Sequence, residues 1–304
     1  IQYNDFPERW RDTLKHISEA NKKGILTTGQ VGSRPIGVLM GFNTSVNPFS
    51  SHEAWKKIKH FSAKERNKII NNDISIRNSL INDVPENAHT KWIKQTFSLT
   101  YLLKEPLNYE PTKEMSINSL ASKFNKSPWE IILNHFISSD NDEFLMHTFE
   151  NYTHNNLDVI AEMLESEHTI CGVGDAGAHV ATICDASYPT FMVPFWSRDR
   201  TRGKLLNLEH LIAKQTLKTA QTYGLNDRGA LLKGMRADIN IIDYEKISLT
   251  KPSLSYDLPA GGKRLIQKSN GYNHTFVKGI EVSHNGEFTG ELPGKLIRGN
   301  QSIN

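Results

Sequence analysis

Only two of the 304 residues are cysteine, Cys171 and Cys184. That excludes a disulfide framework and leads us to expect a reducing, cytoplasmic setting with both thiols in the core. Neither cysteine belongs to a C-x-x-C pair, so a zinc site built on them needs other ligands. No apolar run approaches the ~18–20 residues that cross a bilayer, and no membrane partner is expected. Excess charge of one sign is lacking too, since 36 Lys and Arg against 33 Asp and Glu leave only +3. With no basic stripe and no interleaved aromatics, nucleic acid is not an expected partner. Lys56-Lys57-Ile58-Lys59 is short and reads as a solvated helix face. Repeats and low-complexity tracts are not evident. What is present is 38% hydrophobic and 23% charged, a composition that supports a large core and one or two domains.

Periodicity then orders the chain. Trp10, Leu14, Ile17 and Ala20 recur at helical spacing, and Gly24 ends the pattern. Residues 25–31 are short and β-branched, which predicts a buried strand. Residues 32–52 read as a long loop, and long loops in compact domains are usually functional. A charged helical pattern covers 51–82, and 83–112 are irregular, punctuated by Pro85, Pro106 and Pro111. Helices are predicted at 116–124 and 128–136. The second opens on Ser127-Pro128-Trp129-Glu130, a capping Ser followed by Pro at the first helical position. Strands at 144–149 and 168–174 flank a helix at 155–165, and a further helix runs from 208 to 223. Strand and helix alternating at this tempo predict parallel β/α units. Beyond them, Gly, Pro and short alternating stretches such as 237–243 and 275–282 predict a small β-rich module. The expected division is 1–224 for the α/β body and 225–304 for the module.

Gly172-Val173-Gly174-Asp175-Ala176-Gly177-Ala178-His179-Val180 carries the most chemistry. An acid stands just past a buried strand, between glycines that let a ligand approach the backbone. In a (β/α)8 barrel that edge holds the catalytic groups, and a carboxylate there can ligate a metal or relay protons. Spacing alone leaves another reading open, in which Asp175 caps a turn and His179 packs locally.

Gly174 to Val180 resembles the last barrel strand and loop of the amidohydrolase superfamily, in its N-acyl-D-amino-acid deacylase (D-aminoacylase-like) branch. Tyr223-Gly224-Leu225-Asn226-Asp227-Arg228-Gly229 and Leu232-Lys233-Gly234-Met235-Arg236-Ala237-Asp238 are similar to that branch's exit from the barrel into a small β-sandwich. Asp257-Leu258-Pro259, Val277-Lys278-Gly279 and the segment Thr289 to Arg298 are similar to its closing part. The motifs run in order over residues 144–298, with Gln30 to Gly41 a softer match. The resemblance implies a metal-dependent hydrolase of non-peptide C–N amide bonds acting on a small-molecule amide, an N-acyl-D-amino acid first. The metal would be divalent, zinc from the resemblance alone, with Asp175 as ligand and as proton relay between water and leaving amine.

Some features depart from that family. No His-x-His occurs in the 304 residues, although such a pair supplies the family's first ligands. The strands at 25–31, 144–149 and 168–174 are similar to its sixth, seventh and eighth. The expected fold is therefore α/β: the last three strands of a partial TIM-like (β/α)8 barrel, followed by the β-sandwich module. With Ile1 at the front, the chain reads as a truncated C-terminal half, which alone should associate or aggregate and be inactive. A homo-oligomer is a possible state of the protein. The sixth strand ends in Gln30, a poor zinc ligand able to hydrogen-bond substrate. His147 either points inward to the site or is a core or surface residue. Arg34, Arg198 and Arg200 are candidates for a substrate carboxylate or are structural, and His179 is a further substrate-contact candidate. Tyr188 and Trp196 either line the pocket mouth or pack beneath the loop. Two other readings stand beside the deacylase: a cyclic-amide hydrolase of the hydantoinase or dihydroorotase kind, and a metal-free barrel used for binding.

Overall fold

The run Phe144-Leu145-Met146 places side chains on alternate faces of a strand, and both faces are buried: Phe144 and Met146 join one apolar cluster, Leu145 another. In the computed structural model, which describes residues 1–140, 142–174 and 179–302, this strand is the middle of a sheet that divides the protein's interior. In chain order the strands are β1 (Gly29–Val31), β2 (Ile36–Met40), β3 (Thr100–Leu103), β4 (Phe144–Glu150) and β5 (Thr169–Cys171). There follow β6 (Ile239–Ile242), β7 (Ser248–Leu249), β8 (Ser253–Leu258), β9 (Gly262–Ile266), β10 (Ser269–Asn270), β11 (Tyr272–Val277), β12 (Ile280–His284) and β13 (Glu287–Phe288).

β2 and β3 both run antiparallel to β4, in the order β2-β4-β3. On one face lie the helices Glu53–Ile58, Ala63–Asn72, Ile74–Asn82, Ala88–Thr96, Ile117–Phe124 and Pro128–Phe136. Their Trp55, Ile70, Leu80, Ile93, Ile117 and Ile132 pack with Met40 and Leu145. Against the other face, Tyr101, Leu103 and Met146 meet Trp10 of helix Arg9–Lys22, Ile160 and Leu164 of helix Asp158–Glu165, and Trp196. Local signals set the helix starts. Ser62 and Glu65 close a capping box, and the Ser127 hydroxyl accepts from the Trp129 amide at 3.2 Å, with Pro128 in the first turn.

The expectation of three parallel barrel strands needs correcting. β1 and β5 are parallel and directly paired, with Gln30 opposite Ile170. The segment at 144–149 does form a strand, but it pairs antiparallel with β2 and β3 instead of standing between them. An uninterrupted apolar run marks a strand covered on both faces; parallel sheets usually supply such strands, and this antiparallel sheet does so as well. β2 also replaces part of the expected loop at 32–52. Pro35, Gly37, Gly41 and Pro48 give that stretch its loop-like look, yet Gly37 is required by the sheet: a Cβ there would overlap the His147 carbonyl oxygen, at an irregularity in the β2–β4 register. Helix Ala88–Thr96 and β3 likewise occupy the stretch expected to be irregular. Ile25 and Leu26 are 61% and 93% exposed, so β1 starts later than periodicity suggested.

Strands β6–β13 form the module: a sheet ordered β13-β12-β11-β6 and the pairs β8-β9 and β10-β7. Leu249, Leu254 and Leu265 pack into the same apolar cluster as Trp196 and Met146. Among the described residues, no helix is long and apolar enough to cross a membrane.

Candidate active site at the strand ends

β1 and β5 end side by side. The Gly172 amide donates to the Val31 carbonyl at 2.9 Å, which carries the ladder one step past the paired residues before both chains turn. The segments leaving that edge are Gly32-Ser33-Arg34 and Gly172-Val173-Gly174. Asp175, the first sequence candidate, lies with 176–178 outside the described residues. The backbone on both sides of that gap is unusual: Val173, His179 and Ala181 have φ of +63°, +49° and +57°. A left-handed conformation at a β-branched residue such as Val173 costs ~1–3 kcal/mol and recurs at functional sites.

Gln30 stands beside Gly172 with an exposed side chain whose Nε2 donates to the Tyr223 hydroxyl at 3.0 Å. A Cβ on Gly172 would lie 2.8 Å from both Cβ and Oε1 of Gln30, so only glycine fits beneath that amide. Next to it, a cavity of about 210 Å³ is lined by Cys171, Gly172, Gly174, Tyr188, Gln215 and Thr219, among others. Burial pushes the Cys171 thiol up to about 11, with Ser33 and the Lys214 charge acting in the opposite sense. The upward shift from burial prevails and disfavours a thiolate nucleophile.

Arg34 is buried. Its guanidinium lies 4.5 Å from the Tyr109 ring centre and 4.6 Å from that of Tyr188. Nη2 donates to the Cys184 carbonyl at 2.8 Å and faces Asp185 Oδ1 at 3.5 Å. A substrate carboxylate would reach this cation only by displacing Asp185. Arg198 turns to the carbonyls of Tyr244 and Ile247 and to Asp199, which ties its helical turn to the module. Arg200 is held by Glu110 and Asp158. The carbonyl of His179 accepts from the Thr182 and Ile183 amides, so this exposed residue turns the chain. Tyr188 and Trp196 are fully buried beneath the loop: the Tyr188 hydroxyl donates to Pro35, and the Trp196 indole to Ser33. His147 belongs to the core, its Nδ1 within 3.1 Å of the Thr100 hydroxyl.

Two site neighbours escaped sequence reading. Tyr223 was read only as part of the barrel exit; nothing in its spacing marks it as the anchor of Gln30. Lys214 is buried, and its Nζ donates to the Ser166 carbonyl and to both oxygens of Thr169 at the start of β5. Burial chiefly, and then Lys218, lowers its ammonium to about 8. It sits where the predicted 208–223 helix widens into a π-helical turn, Lys214–Lys218, which no local pattern announced.

Among the described residues, no set of three His, Cys, Asp or Glu side chains converges at the ends of β1 and β5. The convergent set that exists, His274, Glu281 and His284, belongs to the β11–β12 hairpin. The described donors at the strand ends, Gln30 and a thiol held protonated by burial, do not fit a resident divalent ion.

Residues 109–282 match the model of the amidohydrolase family, more than half of the chain, and the protein belongs to that family. A 101-residue stretch is 35% identical to the N-acyl-D-aspartate deacylase of Alcaligenes xylosoxydans xylosoxydans; it covers 33% of this chain and 18% of that enzyme. Two solved structures of D-aminoacylase are also similar, each at 20% identity over 63% of this chain and 36% of theirs. One was determined in work on its binuclear metal centre, and their TM-scores are 0.36 and 0.37. The chain therefore spans well under two thirds of the length of these relatives.

Proposed function

We propose that the protein acts as an amidohydrolase that cleaves the non-peptide C–N bond of an N-acyl-D-amino acid, with Asp175 carrying the proton. One observation carries this reading: the family match spans Asp175, four residues beyond β5 in the sequence and two beyond the left-handed Val173. In the reaction, water oxygen adds to the amide carbonyl carbon while the Asp175 carboxylate accepts a water proton. The same carboxyl then donates that proton to the amide nitrogen, and the C–N bond breaks to a carboxylic acid and an amine. A divalent ion, zinc first, lowers the pKa of its water from 15.7 to about 7 where an enzyme of this kind binds one. The described residues at the strand ends do not hold it. Gln30 is the side chain best placed to hydrogen-bond substrate: Nε2 keeps a second N–H, beside the one given to Tyr223, that can donate to an acyl oxygen, and Oε1 can accept from a substrate amide N–H.

Asp175→Asn tests the reading in the full-length protein. Turnover of an N-acyl-D-amino acid should fall to near background while the fold persists, and wild-type rates would remove Asp175 from the mechanism. Release of product from a hydantoin, with none from the acyl amino acid, would move the substrate to the cyclic amides. A second reading, a metal-free binding protein, draws support from Gln30, a poor ligand tethered to Tyr223 at the edge where a metal ligand is expected. It requires that the full-length protein bind no stoichiometric metal and be indifferent to chelation.

A further inference from the structure

The hairpin of β11 and β12 carries a feature that amide hydrolysis does not use. His274 and His284 are direct cross-strand partners. Glu281 lies three residues before His284, a separation that puts side chains on opposite faces of a regular strand. Here Thr275 pairs with Ser283 but Phe276 pairs with Glu281, so Val282 is an extra residue and the ladder is bulged. The bulge turns Glu281 onto the face shared by the two histidines, as bulges do when they re-aim a side chain. Glu281 Oε1 then lies 2.7 Å from His274 Nδ1 and 2.9 Å from His284 Nδ1. The imidazole ring centres are 4.8 Å apart, and Phe276 stacks near-parallel to His274 at 6.1 Å.

We propose that His274, Glu281 and His284 form a binding site for a first-row transition-metal dication of the zinc class, separate from the strand ends of β1 and β5. Two imidazoles and one carboxylate are borderline ligands that suit Zn²⁺, Ni²⁺ or Cu²⁺ and discriminate against Mg²⁺ and Ca²⁺. A tetrahedral Zn²⁺ with ligands at ~2.0–2.1 Å sets its donors ~3.3 Å apart, so the present 2.7 and 2.9 Å contacts need open only slightly. The side chains are 34%, 33% and 55% exposed for His274, Glu281 and His284, which leaves a remaining position open to water or an external ligand. The hydrogen bonds already hold the two rings and the carboxylate in one place, so little ordering is left for the ion to impose.

The test is a ZnCl2 titration by calorimetry of chelator-stripped protein, wild type beside His274→Asn/His284→Asn. An ion held elsewhere is common to both and cancels in the difference. One saturable equivalent should be missing from the variant, Mg²⁺ should not replace it, and Glu281→Gln should weaken it. Cu²⁺ added to wild type should give an electron paramagnetic resonance spectrum with coupling to two imidazole nitrogens, and the variant should lose that coupling. Without metal the two proteins should melt together, which shows that the variant folds; with zinc the wild type should shift upward by more than the variant. Equal stoichiometry, or an equal zinc-induced shift, would overturn the site. Hydrolase activity should survive in the variant, so the outcome is independent of the fate of Asp175.

Discussion

Arg200 and Glu110 form a two-pronged ion pair inside the protein, with Nη2 to Oε1 at 2.8 Å and Nε to Oε2 at 3.1 Å. Their side chains are 0% and 4% exposed. Glu110 Oε1 also accepts the Leu157 amide at 2.7 Å, just ahead of helix Asp158–Glu165, and Arg200 also reaches Asp158. The pair therefore joins the loop before Glu110, a helix start and the chain beyond the last β/α unit. Arg200 was a candidate for a substrate carboxylate; in the fold a protein carboxylate occupies it.

Removing one partner of such a pair strands the other charge in a dry interior. Arg200→Met, which leaves the Glu110 carboxylate buried without its cation, is expected to cost about 3–5 kcal/mol, and Glu110→Leu less, because Asp158 still reaches Arg200. The double variant Glu110→Leu/Arg200→Met should lose far less than the two single losses combined, because no buried charge is left behind. Urea unfolding of the four proteins measures the coupling. Simple additivity would mean that the two side chains act independently.

Acid should weaken the fold through two histidines. Burial pushes the imidazoles of His52 and His147 down to about 4. In the unfolded chain each titrates near 6.5. Between about pH 6.5 and 4 the unfolded state therefore binds more protons, and stability falls as pH falls through that window. For each group the loss between pH 7 and 5 is about 2 kcal/mol. His52 lies 5.2 Å from Phe49 and 4.9 Å from Trp129, ring centre to ring centre, and neither of its ring nitrogens has a partner of good geometry. His52→Phe should therefore be tolerated at pH 7 and should exceed wild type in stability at pH 5. Denaturant midpoints at the two pH values decide it; parallel profiles for the two proteins would show that His52 does not titrate as described.

How far the sequence disclosed this arrangement depended on the range of the cause. Ser127 and Pro128 set a helix start locally, and that start was legible. The strand at 144–149 was legible as a strand but not in direction, because two-sided burial erases the alternation that distinguishes the pairings. Gly37 read as a loop residue because its requirement, the nearness of the His147 carbonyl, comes from a strand over a hundred residues away. The same distance hid the partners of Arg34, Arg198 and Arg200: an arginine looks alike in sequence whether it faces a ligand or a buried Asp185 or Glu110. Family motifs pointed to Asp175, but the Gln30–Tyr223 link is a tertiary meeting of residues that carry no motif in common.

That link supplies the last prediction, because it ties the candidate site's geometry to one missing methyl group. Gly172→Ala would place a Cβ 2.8 Å from both Cβ and Oε1 of Gln30. The β1 backbone at Gln30 must shift and its amide must give up Tyr223, at an expected cost of about 1–3 kcal/mol. Tyr223→Phe removes only the hydrogen bond and should cost about 0.5–1.5 kcal/mol. Because Gln30 is the element that clashes, Gly172→Ala combined with Gln30→Gly should be more stable than the sum of the single effects predicts, by more than the ~0.5 kcal/mol scatter of independent sites. Unfolding free energies around the cycle measure this directly. An additive result would mean that Gln30 does not lie over Gly172, and it would remove Gln30 from the candidate site as well.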